Sequence, residues 1–198
     1  MRNVLTTALD PELLLEAYAR GFFPMAESKD GPISWFSPDP RAVLPLERFN
    51  LPRSLARVVR SGTFEVRVDT AFDEVIRACA HREETWISPA IVDAYAELHR
   101  RGRAHSVESW REGKLAGGLY GVAIGGAFFG ESMFSRVPNA SKVALAALVD
   151  RLRNRGFALL DTQFVNPHLL QFGVEEISRA RYLRLLAAAV RRPVTFAD

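Results

Sequence analysis

Glu131 follows the apolar run 127–130 and opens a mixed stretch of Ser132, Met133, Phe134 and Ser135. A carboxylate placed there is either paired within the fold or presented to a ligand, because an ionised group is costly to bury alone. The ordinary alternative is a solvent-exposed strand end. Farther along, Asp161 follows Ala158, Leu159 and Leu160, and Gln163 comes two residues later. On a strand of period two these side chains share a face and can act on one ligand. Asp161 alone reads more often as a hydrogen-bonded structural carboxylate; Glu131 as a second carboxylate strengthens the catalytic reading. His105 and Glu108 open on opposite faces of their strand and make poor partners. His168, just past a helix cap, either reaches a ligand or packs.

Other chemistries lack their residues. There is no G-x-S-x-G elbow, phosphate loop or dinucleotide fingerprint. One cysteine, Cys79, and four scattered histidines show no metal-ligand spacing, so neither metal nor cofactor is expected. Glycines 117, 118, 121, 125, 126 and 130 crowd one sheet region. Turns account for Gly125 and Gly126; the others mark bulges or a close approach to the backbone.

The elements that must position these residues follow from the pattern around them. Asp10 and Pro11 cap a short helix that stops at Gly21. Residues 22–45, rich in Pro, Gly, Ser and aromatics, read as packed irregular structure or short strands closing a small N-terminal subdomain, 1–40. Residues 52–60 read as a helix with Arg53, Arg57 and Arg60 on one face. Phe64, Val66 and Val68 alternate as a half-buried strand, and the next helix turns Phe72, Val75, Ile76 and Cys79 inward. Ser88 and Pro89 start a helix that stops at Gly102. Strands at 104–110, 115–124 and 127–131 form a meander, Asn139 caps a helix over 140–155, and a strand covers 157–164. Asn166 and Pro167 open a short helix, and Ser178 caps the last one. The order β-β-β-α-β-α from Ala104 onward implies that 41–198 is an α+β or α/β domain with a mixed sheet, compatible with an acetyltransferase-like architecture.

Bulk properties agree. With 198 residues, 48% of them hydrophobic, the chain can bury one substantial core. No apolar run approaches the roughly 20 residues of a membrane span, and the N-terminus lacks a signal-peptide layout, so a cytoplasmic protein without a membrane partner is expected; a monomer is the default, but the sequence does not give the oligomeric state. The net charge is only +3, with 23 arginines among 26 basic residues. That bias follows from genome base composition as readily as from phosphate binding.

Seven segments in order resemble the bacterial leucyl/phenylalanyl-tRNA protein transferases: AYARGFFPM (17–25), WFSPDPRAVLP (35–45), TWIS (85–88), AYAELHRRGRAHSVESW (94–110), LAGGLYGVAIGGAFFGESMFS (115–135), NASKVAL (139–145) and LLDTQFVNPHL (159–169). The resemblance implies transfer of Leu or Phe from its tRNA to the α-amino group of proteins beginning with Arg or Lys, marking them for degradation. An aminoacyl ester is already activated, so no enzyme nucleophile is required.

By the same resemblance, Asp161 orients the amine and attracts its proton, Gln163 holds the amine or the reacting carbonyl, and Glu131 recognises the cationic acceptor. Leu119, Phe128, Leu148 and Leu160 would line the aminoacyl pocket, though each reads equally well as core. Trp86 would pack near the terminal adenosine, and Met25, where some relatives carry Trp, would line an apolar pocket for the aminoacyl-tRNA while stacking less specifically. Arg53, Arg57 and Arg60 would follow the acceptor stem through its phosphates. Two other readings use the same features: an acetyltransferase-like enzyme with another donor or acceptor, and a non-catalytic RNA-binding module.

Overall fold

The computed structural model describes residues 9–82 and 85–197. Helix α1 (Pro11–Ala19) begins as its sequence dictates, the Asp10 carboxylate accepting from the Glu12 N–H at 2.9 Å and proline filling the first turn. It ends at Gly21, whose φ of +84° a side chain would resist. Two short strands, β1 (Phe23–Ala26) and β2 (Ile33–Phe36), pair antiparallel as a separate ribbon.

The main sheet holds the remaining seven strands: β3 (Arg41–Val43), β4 (Glu65–Val68), β5 (Ala104–Arg111), β6 (Lys114–Ile124), β7 (Ala127–Ser135), β8 (Leu159–Gln163) and β9 (Glu175–Ile177). Their order is β4-β5-β6-β7-β8-β3-β9, and among the described residues only β7 and β8 run parallel. Helices cover both faces, as a sheet with two apolar faces requires. Helices α3 (Phe72–Ala80), α4 (Pro89–Arg100) and α7 (Arg179–Ala189) join α1 on one side, over Tyr120, Val122 and Phe129. Helices α2 (Arg53–Arg60) and α5 (Ala140–Asn154) lie on the other, over Leu119, Phe128 and Leu160, and the short α6 (Pro167–Leu170) follows β8. The fold is the mixed α/β one expected, and no described helix is long and apolar enough to cross a membrane.

The structure departs from the sequence expectations at four places. Strand β7 continues to Ser135 instead of ending at Glu131. Asn139 does not cap α5: its left-handed backbone, φ 72°, is outside the extended geometry of a capping residue, and Ser135 Oγ accepts from the Ser141 N–H at 3.3 Å in its stead. Val66 is exposed, because β4 is an edge strand. Strand β9 was not expected; its three residues Glu175, Glu176 and Ile177 carry little apolar signal.

His105 and Glu108 do point apart. His105 Nδ1 meets Asp69 Oδ2 at 2.8 Å, whereas the buried Glu108 carboxylate accepts from the Thr70 hydroxyl at 2.7 Å and from the Ala71 N–H at 3.4 Å. Glu108 thus caps α3, whose own N-cap residue is an alanine.

Candidate functional site

Strands β7 and β8 pair only from Ala127↔Leu159 to Phe129↔Asp161. Beyond that point β7 follows β6, β8 follows β3, and the two part. A cavity of about 950 Å³ fills the fork. Gly130 and Glu131 line it from β7, and Leu160, Thr162 and Gln163 from β8. Phe23, Met25 and Trp86 close one side, and Leu119 with Leu145 and Leu148 of α5 the other.

Glu131 owes its position to a β-bulge. Pairing with β6 steps from Gly121↔Gly130 to Tyr120↔Ser132, leaving Glu131 without an opposite residue. An extra residue kinks the strand and re-aims its side chain, which explains both the broken alternation after 130 and the later strand end. The carboxylate turns toward α1 and α4. Tyr18 donates to Oε1 at 2.6 Å, Tyr95 reaches Oε2 at 3.4 Å, and the two phenol oxygens are themselves in hydrogen-bond contact. Gln163 Nε2 reaches Oε1 at 3.4 Å. Burial is the main reason the Glu131 carboxyl is pushed up to about 8, with the Asp161 charge adding to it and Tyr18, Tyr95 and Arg41 opposing. Burial likewise holds both tyrosines well above their usual range, so they remain neutral donors.

Asp161 is placed differently from expectation. Its carboxylate is fully buried and does not line the cavity. Oδ1 accepts from Arg41 Nε at 2.9 Å and from the Gln163 N–H at 2.9 Å; Oδ2 accepts from Arg41 Nη2 at 2.7 Å and from the Tyr182 hydroxyl at 2.6 Å. A carboxylate offers about four lone-pair sites, so none is left for a substrate amine. Asp161 and Gln163 do not share a face either, because Gln163 takes a left-handed backbone, φ 58°. That conformation costs roughly 1–2 kcal/mol, offset here by the bond from its N–H to Asp161. Asp161 thus makes its bonds within the protein, and Gln163 is the one of the pair that faces the cavity.

Arg41 is a site residue that the sequence expectations omit. Fully buried, it lies between the rings of Phe23 and Tyr182, 4.6 Å from each centroid, and donates to the Gly21 carbonyl at 3.2 Å. Burial pulls its pKa down, but the hydrogen bonds and charge of Asp161 win and raise it. Its signal was legible: an arginine before the apolar run Ala42, Val43, Leu44 demands a buried acid. Tyr18 and Tyr95 gave no such signal, since each reads as an ordinary inward helix residue.

Of the expected pocket residues, Leu119, Leu148 and Leu160 line the cavity together. Phe128 does not; it is fully buried beneath, its ring 5.1 Å from that of Phe196. Met25 and Trp86 line the same side of the cavity, where the Ala26 N–H donates to the Trp86 carbonyl at 3.2 Å. Arg53, Arg57 and Arg60 are exposed on α2, which packs on α5, and none lines the cavity. The cations at its mouth are instead Arg77, Arg82 and Arg136. Arg136 pairs with Glu74 at 2.9 Å, and Arg82 donates to the Met133 carbonyl. His168 also lines the cavity, its pKa lowered by burial and by Lys142. The hydroxyls of Tyr120 and Thr162, both on the lining, have no hydrogen-bond partner among the described residues.

Known proteins resemble nearly the whole chain. Residues 43–187 match the family described as leucyl/phenylalanyl-tRNA protein transferase, and residues 7–39 match its N-terminal domain. The leucyl/phenylalanyl-tRNA–protein transferase of Gloeobacter violaceus is 57% identical, covering 97% of this chain and 100% of its own. That of Herpetosiphon aurantiacus is 55% identical with the same coverage. Among solved structures, a ribosomal-protein-alanine N-acetyltransferase from Brucella melitensis is similar at 14% identity and a TM-score of 0.38, over 55% of this chain and 84% of that one.

Proposed function

The chain belongs to the leucyl/phenylalanyl-tRNA protein transferase family, and we propose that the fork between β7 and β8 is where it joins the two substrates. As a member it is an aminoacyltransferase, carrying an amino acid from aminoacyl-tRNA to a protein N-terminus. The finer reading is Leu or Phe as the transferred residue, Arg or Lys as the acceptor's first residue, and degradation of the product, all in the cytoplasm.

The observation that carries the site assignment is the meeting of Glu131 and Gln163 beside the apolar wall of Leu119, Leu148 and Leu160. The wall suits a Leu or Phe side chain. Gln163 can donate to the reacting carbonyl or accept from the amine, and Glu131 faces the acceptor's positive charge. Asp161 and Arg41 hold Gln163 from below. Trp86 and Met25 flank the adenosine, and Arg77, Arg82 and Arg136 lie where its phosphates enter; the arginines of α2 reach only a more distant part of the tRNA. Residues 9–40, the described part of the N-terminal subdomain, close one side of the catalytic domain that follows. Catalysis is then chiefly placement: an activated ester and an amine are brought together without a covalent enzyme intermediate.

The test is transfer of labelled amino acid from Leu-tRNA and Phe-tRNA to matched peptides beginning with Arg, Lys, Asp or Ala. Transfer to the first two alone is expected. Folded protein that binds the tRNA but labels no peptide would remove the assignment.

A further inference from the structure

We propose that Glu131, held by Tyr18 and Tyr95, receives the proton that the acceptor's α-ammonium must lose before it attacks the ester, and that the two tyrosines are its positioning residues. The proposal rests on the reading above and assigns within it the step that the burial of Asp161 leaves without an agent.

The geometry of the carboxylate carries it. Each phenol has a single proton to give. Tyr18 gives its proton to Glu131 Oε1 at 2.6 Å, and Tyr95, in contact with the Tyr18 oxygen, donates to that oxygen. The chain Tyr95→Tyr18→Glu131 leaves only long contacts of 3.4 Å for the rest of the carboxylate, from Tyr95 to Oε2 and from Gln163 to Oε1. Open lone pairs on a cavity-facing carboxylate are a place for a donor brought by a ligand. Asp161, by contrast, has four protein donors and no access to the cavity.

The groups facing Glu131 are Tyr18 from α1, Tyr95 from α4, Tyr120 from β6, Asp161 from β8 and Arg41 from β3; Cys79 of α3 and Arg82 bear on Tyr120. The Glu131 carboxyl at about 8 is close to the roughly 7.7–8.0 of an α-ammonium, so transfer between them is nearly balanced and fast in either direction. The step balances. The ammonium N–H bond breaks, Glu131 Oε2 gains the proton, and the neutral amine attacks the carbonyl carbon. On collapse the C–O bond to the ribose breaks, the second amine proton passes to that oxygen, and Glu131 returns its proton to water.

The experiment is single-turnover transfer from Phe-tRNA across pH, with wild type, Glu131→Gln, Tyr18→Phe and Tyr95→Phe. Two acceptors are used: an Arg-peptide and its aminooxy-terminated analogue, whose amine is neutral at pH 7. Wild type should gain rate with pH through about 8 for the Arg-peptide only. Glu131→Gln should lose at least 100-fold with the Arg-peptide, within the range for general-base removal, yet stay within a few fold of wild type with the aminooxy acceptor. Tyr18→Phe should move the pH limb upward, by removing a bond that favours the ionised form, with tRNA binding intact. Equal loss of both acceptors in folded Glu131→Gln, or an unmoved limb in Tyr18→Phe, overturns the proposal. Failure of wild type with every acceptor overturns instead the reading it rests on.

Discussion

At the scale of single residues, the site proposed at the fork divides labour between groups that would touch substrate and groups that hold them. Arg41 and Asp161 belong to the second kind, so their removal should be felt first as instability. Arg41→Ala leaves a buried carboxylate unpaired and should cost about 3–5 kcal/mol, measured by denaturant unfolding. Replacing both together, Arg41→Met with Asp161→Leu, should recover much of that stability, yet turnover should stay low because the Gln163 N–H has lost its acceptor. A double variant as active as wild type would show that Gln163 does not depend on Asp161. On the opposite wall, Leu148→Phe should fill the proposed aminoacyl pocket and turn selectivity toward Leu over Phe by on the order of tenfold, read from the ratio of kcat/KM for the two tRNAs.

At the scale of elements, the sheet is shaped by its glycines and its bulge. A Cβ on Gly117 would stand 2.6 Å from that of Ala140 and 2.9 Å from the Phe134 carbonyl. Gly117→Ala should therefore push α5 off the sheet, widen the fork and cost about 1–3 kcal/mol of overpacking, with a rise in KM for the tRNA. Most element types and the inward face of α3 were legible in the sequence, because periodicity and caps report burial directly. Less legible was anything set by a single backbone exception. The bulge at Glu131, the left-handed turn at Gln163 and the left-handed Asn139 each break a local rule that hydrophobic periodicity does not report. Glu131 and Gln163 could still be singled out as ligand-facing, since a polar residue interrupting an apolar strand is visible whatever the backbone does. The buried rank of Asp161 and the cationic rim of Arg77, Arg82 and Arg136 depended on how strands and helices meet, which residue spacing does not encode.

At the scale of the whole molecule, the charge and proton states of the site reach the stability of the fold and its hold on RNA. The Glu131 carboxyl rises from 4.5 to about 8 on folding, so between those values the folded state keeps a proton that the unfolded chain has shed. The stabilisation is full below 4.5 and is lost as pH climbs to about 8; Glu131→Gln should flatten that part of the stability profile. For tRNA, neutralising Arg77 and Arg82 should lower the salt slope of binding by roughly 0.7 for each single-stranded phosphate left without its cation, and more than neutralising Arg53 and Arg57. Residues 9–40 share one core with the main sheet through Leu14, Tyr18, Phe23 and Ala26, so unfolding should be a single transition with no separate step for the N-terminal segment. The same long-range bonds set a schedule during synthesis. Tyr18 waits 113 positions for Glu131, and Arg41 waits 120 for Asp161, an interval on the order of ten seconds on the ribosome. On the proposed site, a nascent chain cannot charge protein N-termini until the strand bearing Gln163 has emerged, and an interrupted translation product is silent by construction.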